Sequence, residues 1–225
     1  MTLRLVLASQ SPARLNLLRN AGFAPEAIVS GVDEDAFKAG SPVELALILA
    51  REKARAVANQ VGPGALVIGC DSVLDLDGAA LGKPVDAADA VGRWKAMRGR
   101  EGILVTGHCL IDTREVEGRD AEGRAVAGPE GEGARPKERR ELTEAAATLV
   151  QFAEVSDSEI DAYVATGEPL HVAGAFTLDG FGSPFVESIG GDPSNVIGLS
   201  LPLLRRMLAE LDLSVSDLWT SPPKD

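Results

Sequence analysis

Two cysteines, Cys70 and Cys109, and two histidines, His108 and His171, are all that 225 residues offer in soft or imidazole ligands. Neither cysteine sits in a CxxC pair or a longer spaced set, which argues against a disulfide framework and against structural zinc. Any catalytic metal must then be held mainly by oxygen, a donor set that suits Mg²⁺ or Mn²⁺. Basic residues are also scarce, 22 Lys and Arg against 34 Asp and Glu, for a net charge of -12. Nucleic-acid binders carry basic stripes that displace counterions, so neither nucleic acid nor an anionic membrane is expected as a partner. A small polyanion remains open to such a chain, provided a few cations converge in one cleft or a divalent metal bridges the charges.

Long apolar runs are absent too, and none approaches a membrane-spanning length. The opening MTLRLVLASQ has one Arg and a short apolar stretch that runs into a helix signature without a small-residue cleavage site. A soluble, cytoplasmic protein is the expectation. The familiar nucleotide loops are missing as well: no GxxxxGK[ST] occurs, and no GxGxxG opens a helix after a strand. A nucleotide site in this chain must be of another kind.

Leu3 to Ala8 has the apolar continuity of a strand buried on both faces. A helix follows at once, with Ser11 as its cap, Pro12 in its first turn and Gly22 as its stop. The next helix opens at Ser41-Pro42-Val43-Glu44, a capping-box pattern, and runs to about Ala58 with Lys53 in register with Leu45, Leu49 and Val57. Ala65 to Gly69 reads as a buried strand ending at Cys70-Asp71-Ser72, and Asp77-Gly78 signals a hairpin before Gly82-Lys83-Pro84. Further elements are a helix capped by Asp86, a strand from Ile103 to Asp112, a helix boxed by Ser156 and Glu159, and a last helix from Pro202. Strands alternating with helices indicate an α/β fold with a mixed sheet. Residues 114 to 141, rich in Glu, Arg and Gly, lack the aliphatic content to offset the entropy of ordering and read as a mobile insertion between two strands.

Three places carry chemistry. Ser9-Gln10-Ser11-Pro12-Ala13-Arg14 lies where a strand meets a helix N-terminus, so N–H groups, hydroxyls and the helix dipole can face one anion; the plainer reading is an N-cap beside a surface Arg. Lys53 either snorkels past the core edge or points into a cleft. Asp71 follows a buried strand, where sheet termini of α/β folds place ligands. Cys70 has no His partner nearby in sequence and sits in an apolar strand, which speaks against a nucleophile.

In combination and order these segments resemble the Maf-like nucleoside triphosphate pyrophosphatases. LASQSPARLNLL is similar to that family's LASxSPRRxxLL, GVDEDAF to its DE segment, LAREKARAV to its LAxEKA helix, and GCDSVLDLDGAALGKP to its GADTxxxxxGxxxGKP. EIDAYVATGEPLHVAGAF and GDPSNVIGLSLPLLRRML agree as well, so the resemblance covers the chain outside the insertion. It implies one Maf-like domain over residues 1 to 225, with a two-lobed fold shared with inosine-triphosphate pyrophosphatases and an elongated mixed sheet flanked by helices. It also implies hydrolysis of a nucleoside triphosphate between the α and β phosphates, a divalent cation, and a homodimer left open. By that resemblance Ser9, Ser11 and Arg14 bind phosphate, Lys53 and Lys83 are cationic clamps, Glu34 stands on the metal side, and Asp71 accepts the proton and shares the metal.

The base-reading positions depart from the family. Where the branch acting on dTTP and UTP has a second Arg, a Thr and a Gln, this chain has Ala13, Ser72 and Asp179. A carboxylate accepts from the two N–H donors of a guanine edge, whereas a Gln also donates, so a shift away from thymine and uracil is expected. The plainer reading puts Asp179 in a turn with Gly180. Competing functions are an inosine-triphosphate-type pyrophosphatase, a phosphatase yielding orthophosphate, and a non-catalytic nucleotide-binding regulator of cell division.

Overall fold

A computed structural model describes residues 3–114 and 139–220. The first strand, β1 (Arg4–Leu7), has Leu5, Val6 and Leu7 buried on alternating sides. The helix that follows, α1 (Pro12–Asn20), has Ser11 Oγ accepting from the Arg14 N–H at 3.4 Å and ends before Gly22, which adopts φ +90°. After the two-residue β2 (Glu26–Ala27), α2 (Pro42–Val61) runs three residues beyond the expected end, to the positive-φ Gly62. Its capping box is only half made. Ser41 Oγ accepts from the Glu44 N–H, but the Glu44 carboxylate turns back to the Gly40 N–H at 2.8 Å.

The strand β3 (Ala65–Leu76) does not end at Asp71 as expected; it continues for five more residues and turns through Asp77 and Gly78, both at positive φ, into β4 (Ala79–Leu81). The primed-turn geometry matches the Asp-Gly signal. Asp86 caps α3 (Ala87–Met97), and β5 (Glu101–Asp112) pairs with β3 from Leu66 to Asp75. The strand β6 (Arg140–Phe152) lies along the whole of β5, so Arg140 and Glu141 belong to a strand rather than to the insertion. Residues 115–138, and with them the expected mobility, lie outside the described residues. The chain closes with α4 (Asp157–Ala165), whose Ser156/Glu159 box is reciprocal, then β7 (Val186–Gly190), α5 (Pro193–Ile197) and α6 (Leu201–Glu210).

The sheet order is β2-β1-β3-β5-β6-β7, parallel at β2-β1-β3 and antiparallel elsewhere, with β4 added on β3. Because β3, β5 and β6 are long, two cores form along one sheet. At one end Leu7, Leu18, Ile68, Leu110, Leu203 and Met207 fill one face, while Ala50, Ala54 and Val57 of α2 cover Val6, Val67 and Ile111 on the other. At the far end Leu74, Trp94, Phe152, Tyr163 and Phe176 form a separate cluster, with the Trp94 indole donating to the Ala175 carbonyl at 2.8 Å. These are the two lobes. Among the described residues no helix is long and apolar enough to cross a membrane.

His108 illustrates how the first core is tied together. Its Nε2 accepts the Ser200 N–H at 2.8 Å at the start of α6, so Nδ1 carries the proton and donates to the Thr106 carbonyl at 3.0 Å. Burial pushes its pKa down from 6.5 to about 4, and a protonated ring would lose the Ser200 acceptor. The unfolded chain therefore takes up this proton first on acidification. The stabilisation is complete above pH 6.5 and declines as pH falls towards about 4, by a total of about 3 kcal/mol. Melting curves across that range should show a steeper acid decline for the wild type than for His108→Gln, and parallel declines would refute the assignment.

Candidate active site

Two strands sit on the outer edge of β3. The first, β1, pairs up to Leu7↔Ile68, after which the Ala8 N–H makes one last bond to the Ile68 carbonyl at 2.8 Å; β4 takes over only at Leu74. Asp71 and Ser72 fall in the interval between. The carboxylate is thus at the end of a parallel pair, but because its neighbour stops, not because its own strand does. That opening is the crevice where α/β sheets admit ligands.

From one face comes α2. Gly69 and Gly107 have no side chain to hold it off: a Cβ on Gly69 would lie 2.4 Å from the Ala50 carbonyl oxygen, and one on Gly107 2.2 Å from that of Ala46. The helix therefore rides directly on the sheet backbone, and Lys53, although charged, is buried with its Nζ 2.5 Å from Asp71 Oδ1. A second carboxylate meets the same ammonium, Glu34 Oε1 at 2.7 Å, from the short 3₁₀ turn Glu34–Ala36. Lys53 points into the crevice, which decides between its two readings. Gly69 and Gly107 carried no sequence signal that separated them from other glycines.

From the opposite face comes α1. Ser9 Oγ accepts the Ser11 N–H at 3.1 Å, and Arg14 stretches across the crevice, giving Nε–H to the Gly198 carbonyl at 2.6 Å and an Nη2–H to Ser72 Oγ at 2.9 Å. The Lys83 ammonium is exposed and makes no ion pair among the described residues; its turn is held by Arg93, which donates to the Gly82 carbonyl at 2.6 Å.

The charges act on one another. Burial raises the Asp71 carboxyl above the ordinary aspartate range, and the nearby charges of Lys53 and Arg14 oppose this without cancelling it. Burial works against ionisation of Glu34 as well, but its bond to Lys53 and the charges of Lys53, Lys83 and Arg14 prevail and hold its pKa below the usual value. Lys83 and Arg14 thus share a field with the carboxylates. The Cys70 thiol is pushed up to about 12 by burial, which disposes of it as a nucleophile.

The base-reading positions are not gathered in the same way. Ala13 is half-buried on α1, Ser72 is bound to Arg14, and Asp179 is exposed on a bend with no hydrogen bond or ion pair to the Lys53 cluster. The loop around Asp179 is organised by Glu168, unremarked in the sequence, whose carboxylate accepts from Thr177, Tyr163 and the N–H groups of Phe181 and Gly182.

Site and sheet together define a class: an α/β protein with a serine-capped strand-turn-helix and a buried lysine paired with two carboxylates at a sheet crevice. The family model described as "Maf-like protein" matches residues 4–211, and the chain belongs to that family. It is 59% identical to the nucleoside triphosphate pyrophosphatase of Streptomyces coelicolor, over 99% of this chain and 97% of that protein. It is 57% identical to the protein of that name from Streptomyces avermitilis, over 98% and 97%, and 48% identical to that of Trichormus variabilis, over 97% and 98%.

Proposed function

We propose that the chain is a nucleoside triphosphate pyrophosphatase, hydrolysing its substrate to the monophosphate and pyrophosphate in the cytoplasm, with Asp71 as general base. The observation that carries this is the division of labour within one carboxylate. Asp71 Oδ1 is tethered to Lys53, while Oδ2 has no hydrogen bond among the described residues and the side chain keeps 9% of its surface exposed. A tethered carboxylate whose pKa burial raises is suited, at a crevice, to take a proton from water as the water oxygen attacks the α phosphorus and the bond to the pyrophosphate oxygen breaks. Charge building on the leaving pyrophosphate would be met by Arg14, Lys53 and Lys83, with the Ser9–Ser11 turn holding phosphate oxygens at the start of α1.

The donor set fits a hard divalent cation. Glu34 and Asp71 already converge on one cationic position, occupied by the Lys53 ammonium, and the described residues contain no cluster of three His, Cys, Asp or Glu. Two carboxylates with phosphate and water oxygens are the usual surroundings of Mg²⁺, and Mn²⁺ accepts the same. When bound, the cation would neutralise phosphate charge. Lys53 would keep the two carboxylates apart and oriented.

A product-resolved assay with Mg²⁺ or Mn²⁺ is the test. Equal amounts of monophosphate and pyrophosphate are expected, with loss of turnover in EDTA. Orthophosphate as the sole product would make the chain a phosphatase; nucleotide retention without any turnover would make it a regulator. Run across canonical and methylated triphosphates, the same assay tests the shift away from thymine and uracil expected from Ala13 and Asp179. A clear dTTP or UTP preference would overturn that shift.

A further inference from the structure

Arg14 is held by more of the protein than the phosphate-binding segment itself. Its Nη2–H goes to Ser72 Oγ at 2.9 Å, Ser72 Oγ lies 2.9 Å from Thr106 Oγ1, and Thr106 Oγ1 lies 3.2 Å from the Asn195 carbonyl oxygen. The proton order along this chain follows from chemistry alone. A carbonyl only accepts, so the single hydroxyl hydrogen of Thr106 goes to Asn195; Ser72 must then donate to Thr106, and a Ser72 lone pair is left facing the guanidinium. Every hydroxyl hydrogen in the chain is committed.

The far end is anchored. Thr106 and Asn195 are fully buried, and the two hydrogens of the Asn195 amide are shared among the Leu104 carbonyl at 3.2 Å, the Ala146 carbonyl at 3.4 Å and Thr148 Oγ1 at 3.1 Å. Its backbone is thereby pinned to β5 and β6. Three residues later, the carbonyl of Gly198 takes the Arg14 Nε–H; Gly198 has φ +120°, and a Cβ there would lie 3.0 Å from Nε. The guanidinium is therefore fixed at two of its corners, at Nε directly by Gly198 and at Nη2 by Ser72, which Thr106 links to Asn195. Of its five N–H groups these use two, a third approaches Ser9 Oγ at 3.5 Å, and two remain for a ligand.

We propose that Thr106 and Asn195 are positioning residues that act through Ser72 to aim Arg14 at substrate phosphate. Ser72 is accordingly a link in the support of Arg14, with no hydrogen left to donate to a base. The proposal rests on the reading of Arg14 as a phosphate ligand. Rigid support of this kind matters because a guanidinium that wanders loses the geometry on which bidentate phosphate contacts depend.

The test is a double-mutant cycle in the full chain, read both as KM for a triphosphate and as the calorimetric Kd for inorganic pyrophosphate. Thr106→Val, which keeps the volume and removes the hydroxyl, should weaken both by about tenfold, and Thr106→Ser should restore them. In an Arg14→Gln background Thr106→Val should then add nothing. Multiplying effects of the two changes would show that Thr106 acts independently of Arg14 and would overturn the proposal. Arg14→Gln leaving pyrophosphate affinity and KM unchanged would remove the phosphate role of Arg14 itself, a distinct failure. Should Thr106→Val not fold, Ser72→Ala cuts the same chain at a half-buried position and is carried through the same cycle with the same expected non-additivity.

Discussion

Asp71→Asn is expected to lower kcat by ~10²–10⁴, the usual worth of general-base assistance, in a protein that still folds. The amide is isosteric, and its oxygen can keep the Lys53 contact made by Oδ1 at 2.5 Å. What it lacks is basicity at the second oxygen. Lys53 remains paired with Glu34 at 2.7 Å, so the buried ammonium is not left alone; the stability loss should stay at about 1–3 kcal/mol. Steady-state turnover together with a melting curve checks both parts. Near-normal turnover in the folded variant would remove Asp71 from the chemistry.

The second large effect concerns a residue with no functional group. Gly69→Ala places a methyl carbon 2.4 Å from the Ala50 carbonyl oxygen and 2.7 Å from the Ala54 nitrogen, both backbone atoms of α2, so no side chain can step aside. The helix must lift off the sheet. Overpacking of this severity should destabilise by about 3 kcal/mol or more, read as a lower urea midpoint. Activity should suffer separately, because Lys53 follows Ala50 by three residues on the same helix and meets Asp71 only at close approach. A displacement near 1 Å at a catalytic contact is worth about 10² in rate. Undiminished stability and turnover in Gly69→Ala would show that α2 is not seated by this glycine.

Local features were legible in the sequence where their hydrogen bonds close within a few residues. The Ser11, Ser41, Asp86 and Ser156 caps all accept from the N–H three residues on, and the Asp77-Gly78 turn has the φ values its residue types allow. Even so, the reciprocal half of the Ser41 box went to Gly40 instead. Less local elements were harder to read. Alanine and glutamate dominate the middle of β6, both poor strand formers, yet it pairs with β5 from Glu101 to Asp112 because the neighbour supplies the ladder. Glu168 looked like any acidic residue in a loop until four donors were seen to converge on it.

By itself the sequence determined the strand-turn-helix at Ser9–Arg14, the run of motifs that place the chain in its family, and the residue types available for phosphate, metal and proton. Tertiary structure alone decided that Lys53 and Arg14 come from opposite faces of the sheet to the adjacent residues Asp71 and Ser72, and that β1 stops short to leave the gap. It likewise set Ser72 Oγ within 2.9 Å of the Arg14 guanidinium. The physical reason is that charge pairing, burial and steric closeness are properties of atoms far apart in the chain. Lys53 and Asp71 are 18 residues apart and Arg14 and Gly198 are 184 apart, and only the sheet that carries them makes them neighbours.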